Sequence, residues 1–225
     1  MDEPGAHEFT VSSTRTEYTG AILALRVDEV QMPGGGSGAR EVVEHQGAVA
    51  IVAVDDDDQV VLIHQYRHPL GHRLWELPAG LLDVADEEPL PAAQRELAEE
   101  VGLAAEQWSV LVDVAASPGF TDECVRVYLA QGLSDVARPT GEHEEADLVV
   151  QRAAVDDAVA QGCQGRLSTP RRWAACWHWL RYEPAMAGHE ASTHRGRTGR
   201  LPSAGVSASR ARGVRPSRSR CRSAS

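Results

Sequence analysis

A chain of 225 residues is long enough to bury one sizeable core, with length left over. Its net charge of −11 hides two unlike parts: residues 1–165 carry nine arginines against thirty-one acids, a net −22, whereas residues 166–225 carry thirteen arginines against two acids, a net +11. An acidic body of this kind excludes nucleic acid and anionic membranes as partners, and it repels phosphates unless a metal intervenes.

Lysine is absent, and the four cysteines, Cys124, Cys163, Cys176 and Cys221, have neither metal-ligand spacing nor a disulfide-framework pattern. No stretch has the basic flank and apolar run of a signal peptide, or the length of a membrane span. A reduced, cytoplasmic protein is the expectation.

Residues 1–8 are expected to be a frayed, disordered N-terminus. Phe9 to Met32 read as one or two strands, with Ile22, Leu23, Leu25, Val27 and Val30 set among polar residues. Pro33 to Gly38 is a flexible hairpin-type loop. Arg40 to His45 and the apolar run Gly47 to Val54 follow as strands, the second buried. Asp55 to Asp58 suit a solvated tight turn rather than a calcium loop, because no ligand pattern continues beyond them. Val60 to Tyr66 is the partner strand, residues 88–101 a helix, and Val110 to Val114 and Val125 to Ala130 further strands. Asp156 to Gln161 suit a short helix. Strands dominate around one strong helix, a mixed α+β layout rather than alternating βαβ units.

The helix carries the chemistry. Glu96, Glu99 and Glu100 stand at i, i+3 and i+4, so three like charges share one face, at a cost of a few tenths of a kcal/mol per pair. Leu97 and Val101 supply an adjoining apolar stripe, and Gly102 is a natural stop. Arg95 lies four residues before Glu99, where it can hold a carboxylate in place. Oxygen-only ligands suit a hard cation, magnesium or manganese. Three acids alone fit an ordinary solvated face better than a metal site.

The run from Gly80-Leu81-Leu82-Asp83-Val84-Ala85-Asp86-Glu87 through Arg95-Glu96-Leu97-Ala98-Glu99-Glu100-Val101-Gly102-Leu103 resembles the Nudix box. In that pattern a glycine and a spaced glutamate precede Arg-Glu-apolar-x-Glu-Glu-x-Gly-apolar, and the second half matches completely. The resemblance implies Glu96 and Glu100 as main metal ligands, with Glu99 as ligand or helper and the Ala79 carbonyl as a further ligand. The box normally has five residues between glycine and first glutamate. Here Glu87 leaves six, and Asp86 would leave five. Glu87 is the better choice, and with it a further metal-ligand candidate, because a helix has a rigid register and a loop can absorb one residue.

Flanking segments narrow the class. Gln65-Tyr66-Arg67-His68, Leu74-Trp75-Glu76-Leu77-Pro78-Ala79-Gly80 and Ser117-Pro118-Gly119-Phe120-Thr121-Asp122-Glu123 together resemble the ADP-ribose pyrophosphatase branch, with Pro118 sixteen residues past Gly102. Arg67 can grip phosphate as a planar fork, or serve an ion pair. Trp75 can stack on a base, or fill the core. Arg73 is a further phosphate-contact candidate, and Glu76 a metal-relay candidate. In that branch a late acidic loop supplies the catalytic glutamate, and within Gly141 to Asp147 the residue that aligns is Glu145, with Glu144 second; His143 is a poorer choice. The resemblance thus implies Mg2+-dependent hydrolysis of ADP-ribose to AMP and ribose 5-phosphate. Alternatives are a Nudix hydrolase of another nucleotide, such as an oxidised nucleoside triphosphate or NADH, and a non-catalytic ADP-ribose-binding module. It also implies an α/β/α sandwich around a mixed sheet, over residues 9–165, and an N-terminal β segment that helps pair a homodimer.

Past about Leu167 the character changes. Trp173, Trp177, His178 and Trp179 crowd together, then Ser, Arg and Gly fill the chain to Ser225. Taken at face value this is a membrane or partner helix followed by a nucleic-acid tail. A shifted reading frame explains it more simply. With GC-rich codons, Thr169 to Arg172 reread two bases later give histidine, proline, threonine and alanine. Arg172 to Arg181 then give valine, two glycines, valine, leucine, alanine, leucine, two alanines and valine. That is an apolar helix of the kind that closes this fold.

Overall fold

The computed structural model of the chain describes residues 9–138 and 147–163. Three sheets form. The N-terminal one has order β1-β2-β3 and is antiparallel, from β1 (Thr10–Thr19), β2 (Leu23–Gln31) and β3 (Ser37–His45). A four-stranded mixed sheet has order β7-β4-β9-β8, built from β4 (Ala48–Ala53), β7 (Ala79–Leu81), β8 (Leu103–Ala115) and β9 (Cys124–Asp135). Only the β4–β9 pair in it is parallel. A third, antiparallel sheet has order β10-β5-β6, from β5 (Gln59–Arg67), β6 (His72–Glu76) and β10 (Val149–Ala154).

Strand β4 organises the core through its period of two. Val49, Ile51 and Ala53 face α1 (Pro89–Val101) and pack with Ala92, Ala93 and Leu97. Ala50 and Val52, with Val54 just beyond the strand, face the other way. They join Leu62, Val127 and Leu129 under Ala158 and Val159 of α2 (Val155–Cys163). A helix thus lies on each side of the sheet layers, as expected. Pro89 and Pro91 open α1, where missing N–H groups cost nothing, and Gly102 closes it in the left-handed conformation (φ +70°).

The expected helix and the strands at Gly47 to Val54, Val60 to Tyr66, Val110 to Val114 and Val125 to Ala130 are present, several of them longer than expected. Strands β6, β7 and β10 are additions. Among the described residues no helix is long and apolar enough to cross a membrane. Cys124 is disulfide-bonded, which corrects the expectation of reduced cysteines.

Candidate active site

The site grows from the junction of β7 with α1. Glu100, buried on the helix, accepts a hydrogen bond from the Ala79 N–H at 2.9 Å through Oε2. That bond ties the helix face to the backbone of the strand holding the Ala79 carbonyl. One residue on, Gly80 lies against Glu96 so closely that a Cβ there would collide with its Cγ, Cδ and Oε1. Gly80 is therefore needed for clearance rather than for an unusual backbone angle.

Arg95 stands at the centre of the carboxylates. Its Nε and Nη2 grip Glu87 at 3.1 and 3.0 Å, a two-point pairing. Its Nη1 reaches Glu96 Oε1 at 2.8 Å and Glu99 Oε2 at 2.9 Å. The arginine is held charged well above its usual range, chiefly by the Glu87 bond. The same bond lowers the Glu87 carboxyl. Glu96 shifts the other way: burial raises its carboxyl pKa, opposed by Arg95 and reinforced by Glu99 and Asp83.

Asp86 takes a left-handed backbone (φ +64°), and Glu87, the next residue, turns to Arg95. A ready-made metal cage is not present: among the described residues no group of three or more His, Cys, Asp or Glu is arranged so that it could hold a metal ion. The guanidinium occupies the middle instead. The donor chemistry nevertheless fits a hard cation, because the groups offered are carboxylates and Glu96 is partly desolvated with incomplete compensation.

The flanking candidates separate. Arg67 pairs with Glu76 (Nη2 to Oε2, 2.6 Å), and Gln65 Nε2 donates to the same carboxylate at 3.1 Å. Glu76 thus sits in an ion pair on the third sheet. Trp75 is stacked on His64 at 4.5 Å and 21° and packs against the core cluster, which favours the core role. Arg73 is engaged by Asp147. Pro118 is exposed, in a turn whose following residues stitch onto β3: Val43 donates to the Phe120 carbonyl at 2.7 Å, and the His45 N–H to Asp122 Oδ1 at 2.9 Å. Glu144, Glu145 and His143 lie outside the described residues, as does everything after residue 163.

Sequence reasoning missed a cavity of about 370 Å³ beside the box. Gly20, Ile22, Glu44, His45, Leu82 and Asp122 are among its lining residues. Glu44 in its wall is ion-paired with Arg26. No arginine is among the described lining residues, so the cavity suits an uncharged end of a ligand, not its phosphates. Its walls come from four separate stretches of chain, which no local pattern announces.

The NUDIX domain family matches residues 44–167. The chain is 56% identical over 161 residues to an ADP-ribose pyrophosphatase of Mycobacterium tuberculosis, covering 72% of this chain and 78% of that one. It is 37% identical to an ADP-ribose pyrophosphatase of Bacillus subtilis, covering 63% and 76% of the two chains. It is 38% identical to the methanol dehydrogenase activator of Bacillus methanolicus, covering 67% and 82%. Among solved structures, one titled as an ADP compounds hydrolase superposes with a TM-score of 0.69 at 20% identity, over 83% of this chain and 99% of that one, a likeness of fold.

Proposed function

The chain belongs to the NUDIX family, and on that premise we propose that it hydrolyses the diphosphate of ADP-ribose, with a divalent cation, to AMP and ribose 5-phosphate. The observation that carries the reaction type is the Arg95-centred carboxylate cluster pressed against Gly80 and Ala79. The choice of ADP-ribose is supported by the relatives named as ADP-ribose pyrophosphatases.

We assign Glu96 and Glu100, helped by Glu99 and the Ala79 carbonyl, to holding magnesium, with manganese as a substitute. Glu87 serves by fixing Arg95. The bound cation would neutralise the bridging diphosphate and acidify the attacking water. Arg95 keeps Glu96 and Glu99 oriented towards the same region. The cavity beside Leu82 takes an uncharged end of the substrate, and Arg67, at the end of β5 and paired with Glu76, is our choice for a phosphate contact. Water adds to one phosphorus, the bridging P–O bond breaks, and the leaving oxygen departs with the second monophosphate. The proton released passes to Glu145, our first choice of base, with Glu144 second.

We take residues 9–165 as the working unit and place it in the cytoplasm on the ground of its nucleotide substrate alone, since the disulfide at Cys124 removes the argument from reduced cysteines. A homodimer through the N-terminal sheet fits the exposure of all ten residues of β1, an edge strand open to pairing. The decisive experiment is AMP release from ADP-ribose with magnesium, for wild type and Glu100→Gln. Turnover of another nucleotide alone would move the substrate. Tight binding without turnover would make the chain a binding module.

A further inference from the structure

Two polar side chains in the wall of the cavity beside Leu82 are fixed on one side and free on the other. His45, at the end of β3, has a mostly buried ring (14% exposed) whose Nδ1 accepts the Gly47 N–H at 3.1 Å. A neutral imidazole carries one ring proton, so an accepting Nδ1 leaves that proton on Nε2. Glu123 Oε1 stands 4.0 Å from Nδ1, too far to hydrogen-bond it. Nε2 has no hydrogen-bond partner among the described residues. The buried side-chain polar atom that lacks one among them is Asp28 Oδ1, so the Nε2–H is not sealed in the interior. It is a donor open to the cavity. Asp122 supplies an acceptor next to it. Its Oδ1 accepts the His45 backbone N–H at 2.9 Å, and its own N–H donates to the Val43 carbonyl at 3.3 Å. The residue is exposed, and its Oδ2 makes no hydrogen bond among the described residues. The pair lies near the carboxylate cluster. The Leu82 N–H donates to the Gly47 carbonyl at 3.1 Å, and Leu82 is two residues, about 7 Å of extended chain, from the Gly80 that touches Glu96.

We propose that His45 and Asp122 are specificity-determining residues, which together read a neutral edge carrying an acceptor beside a donor. The Nε2–H of His45 donates to the first, and Asp122 Oδ2 accepts from the second. A phosphate offers acceptors only, so it satisfies His45 and is repelled by Asp122 and by Glu44, also in the wall. In ADP-ribose the amino edge of the base and the ribose hydroxyls both have the required pattern. The kinetic part rests on the hydrolase reading above; the pairing of donor and acceptor does not.

The test uses the full chain, isotope-labelled for NMR, as wild type, His45→Asn and Asp122→Asn. Ring nitrogen shifts of the wild type at neutral pH should report the Nε2–H form of His45. Adenosine, inosine and ribose, which carry no phosphate, are then titrated in separately. His45→Asn keeps an oxygen for the Gly47 N–H but loses the outer donor. It should melt with wild type while binding weakens roughly two- to twelvefold, as for one lost hydrogen bond. Asp122→Asn keeps Oδ1 for the His45 N–H and turns the outer acceptor into a donor. With the base in the cavity, adenosine then weakens and inosine, whose keto oxygen replaces the amino group, gains. With the sugar there, ribose weakens in both variants and the two nucleosides change equally. For ADP-ribose with magnesium, KM in His45→Asn should rise by the factor that binding loses, with a smaller change in kcat. An Nδ1–H ring overturns the proposal, and so does probe binding that is absent or unmoved by both variants. The titrations need no turnover, so such a result beside AMP release leaves the hydrolase reading standing. Binding altered as expected without AMP release removes that reading alone.

Discussion

Replacing Gly80 by alanine isolates the role of Glu96. Gly80 is not among the glycines with positive φ, so alanine fits its backbone without strain. The whole effect passes through space, since the new Cβ would lie under 3.0 Å from three atoms of the Glu96 side chain. Carbon pairs settle at about 3.5–4.0 Å, so Glu96 must retreat by roughly 1 Å or more. It can do so cheaply, because the obstructing atoms are the far end of a flexible chain. The retreat breaks the bond from Arg95 to Glu96, a loss of at most about 1 kcal/mol for a pair not fully buried. The expected melting shift is therefore only about 2–4 °C. Displacing a ligand by that distance should instead lower kcat about a hundredfold. Magnesium binding, followed by calorimetry, should weaken in parallel. Gly34→Ala is the control, since nothing lies within 4 Å of its Cβ. Were Gly80→Ala to keep both kcat and magnesium affinity within about threefold of wild type, Glu96 would not be a metal ligand and the site would have to be rebuilt elsewhere.

Glu100→Gln keeps an oxygen to accept the Ala79 N–H, so the fold should hold while kcat falls by about a hundredfold or more, beyond the 10–100-fold typical of an outer-shell partner; a melting scan beside the assay separates the two. Arg95→Gln leaves three carboxylates without their central cation, so it should melt lower than wild type without metal and gain more from magnesium, for which a concentration of about 100 Kd supplies about 2.7 kcal/mol; an equal magnesium response in both proteins counts against it. Leu97→Ala empties a fully buried site between α1 and β4 and should cost about 2–5 kcal/mol in denaturant unfolding. Recoding the chain from Thr169 into the alternative frame should raise the melting temperature by roughly 6–12 °C, if two leucines of about 1.5 kcal/mol each become buried. Sequencing the coding DNA across this junction tests the same idea, and an intact frame with other codons sinks it.

The parts of the fold that were legible are those whose own residues settle their environment. The apolar run at Val49 to Val54 has to be buried on both faces, and α1 announces itself by Leu97 and Val101, the glutamate face and the stop at Gly102. Strand β7 is three residues long and exists because Ala79 to Leu81 pair with Ala48 to Ala50. Strand β10 is almost wholly exposed and takes its form from its register on β5, so no alternation marks it.

The same distinction divides the site. Glu96, Glu99 and Glu100 are placed by one helix, and helical spacing predicts which face they share. Arg95 is harder, because its position four before Glu99 suggests one partner whereas the structure gives it three. The third, Glu87, lies eight residues away and directly after Asp86, whose left-handed turn no helical spacing predicts. Arg73 is harder again: its partner Asp147 is 74 residues away, and nothing in the local text of either residue points to the other. An arginine near a diphosphate site invites assignment to phosphate by charge alone. In this chain the described residues of the Nudix unit engage that arginine with their own acids first. A surplus of carboxylates needs cations of its own to stay folded, and Arg67, Arg73 and Arg95 are each ion-paired in that way.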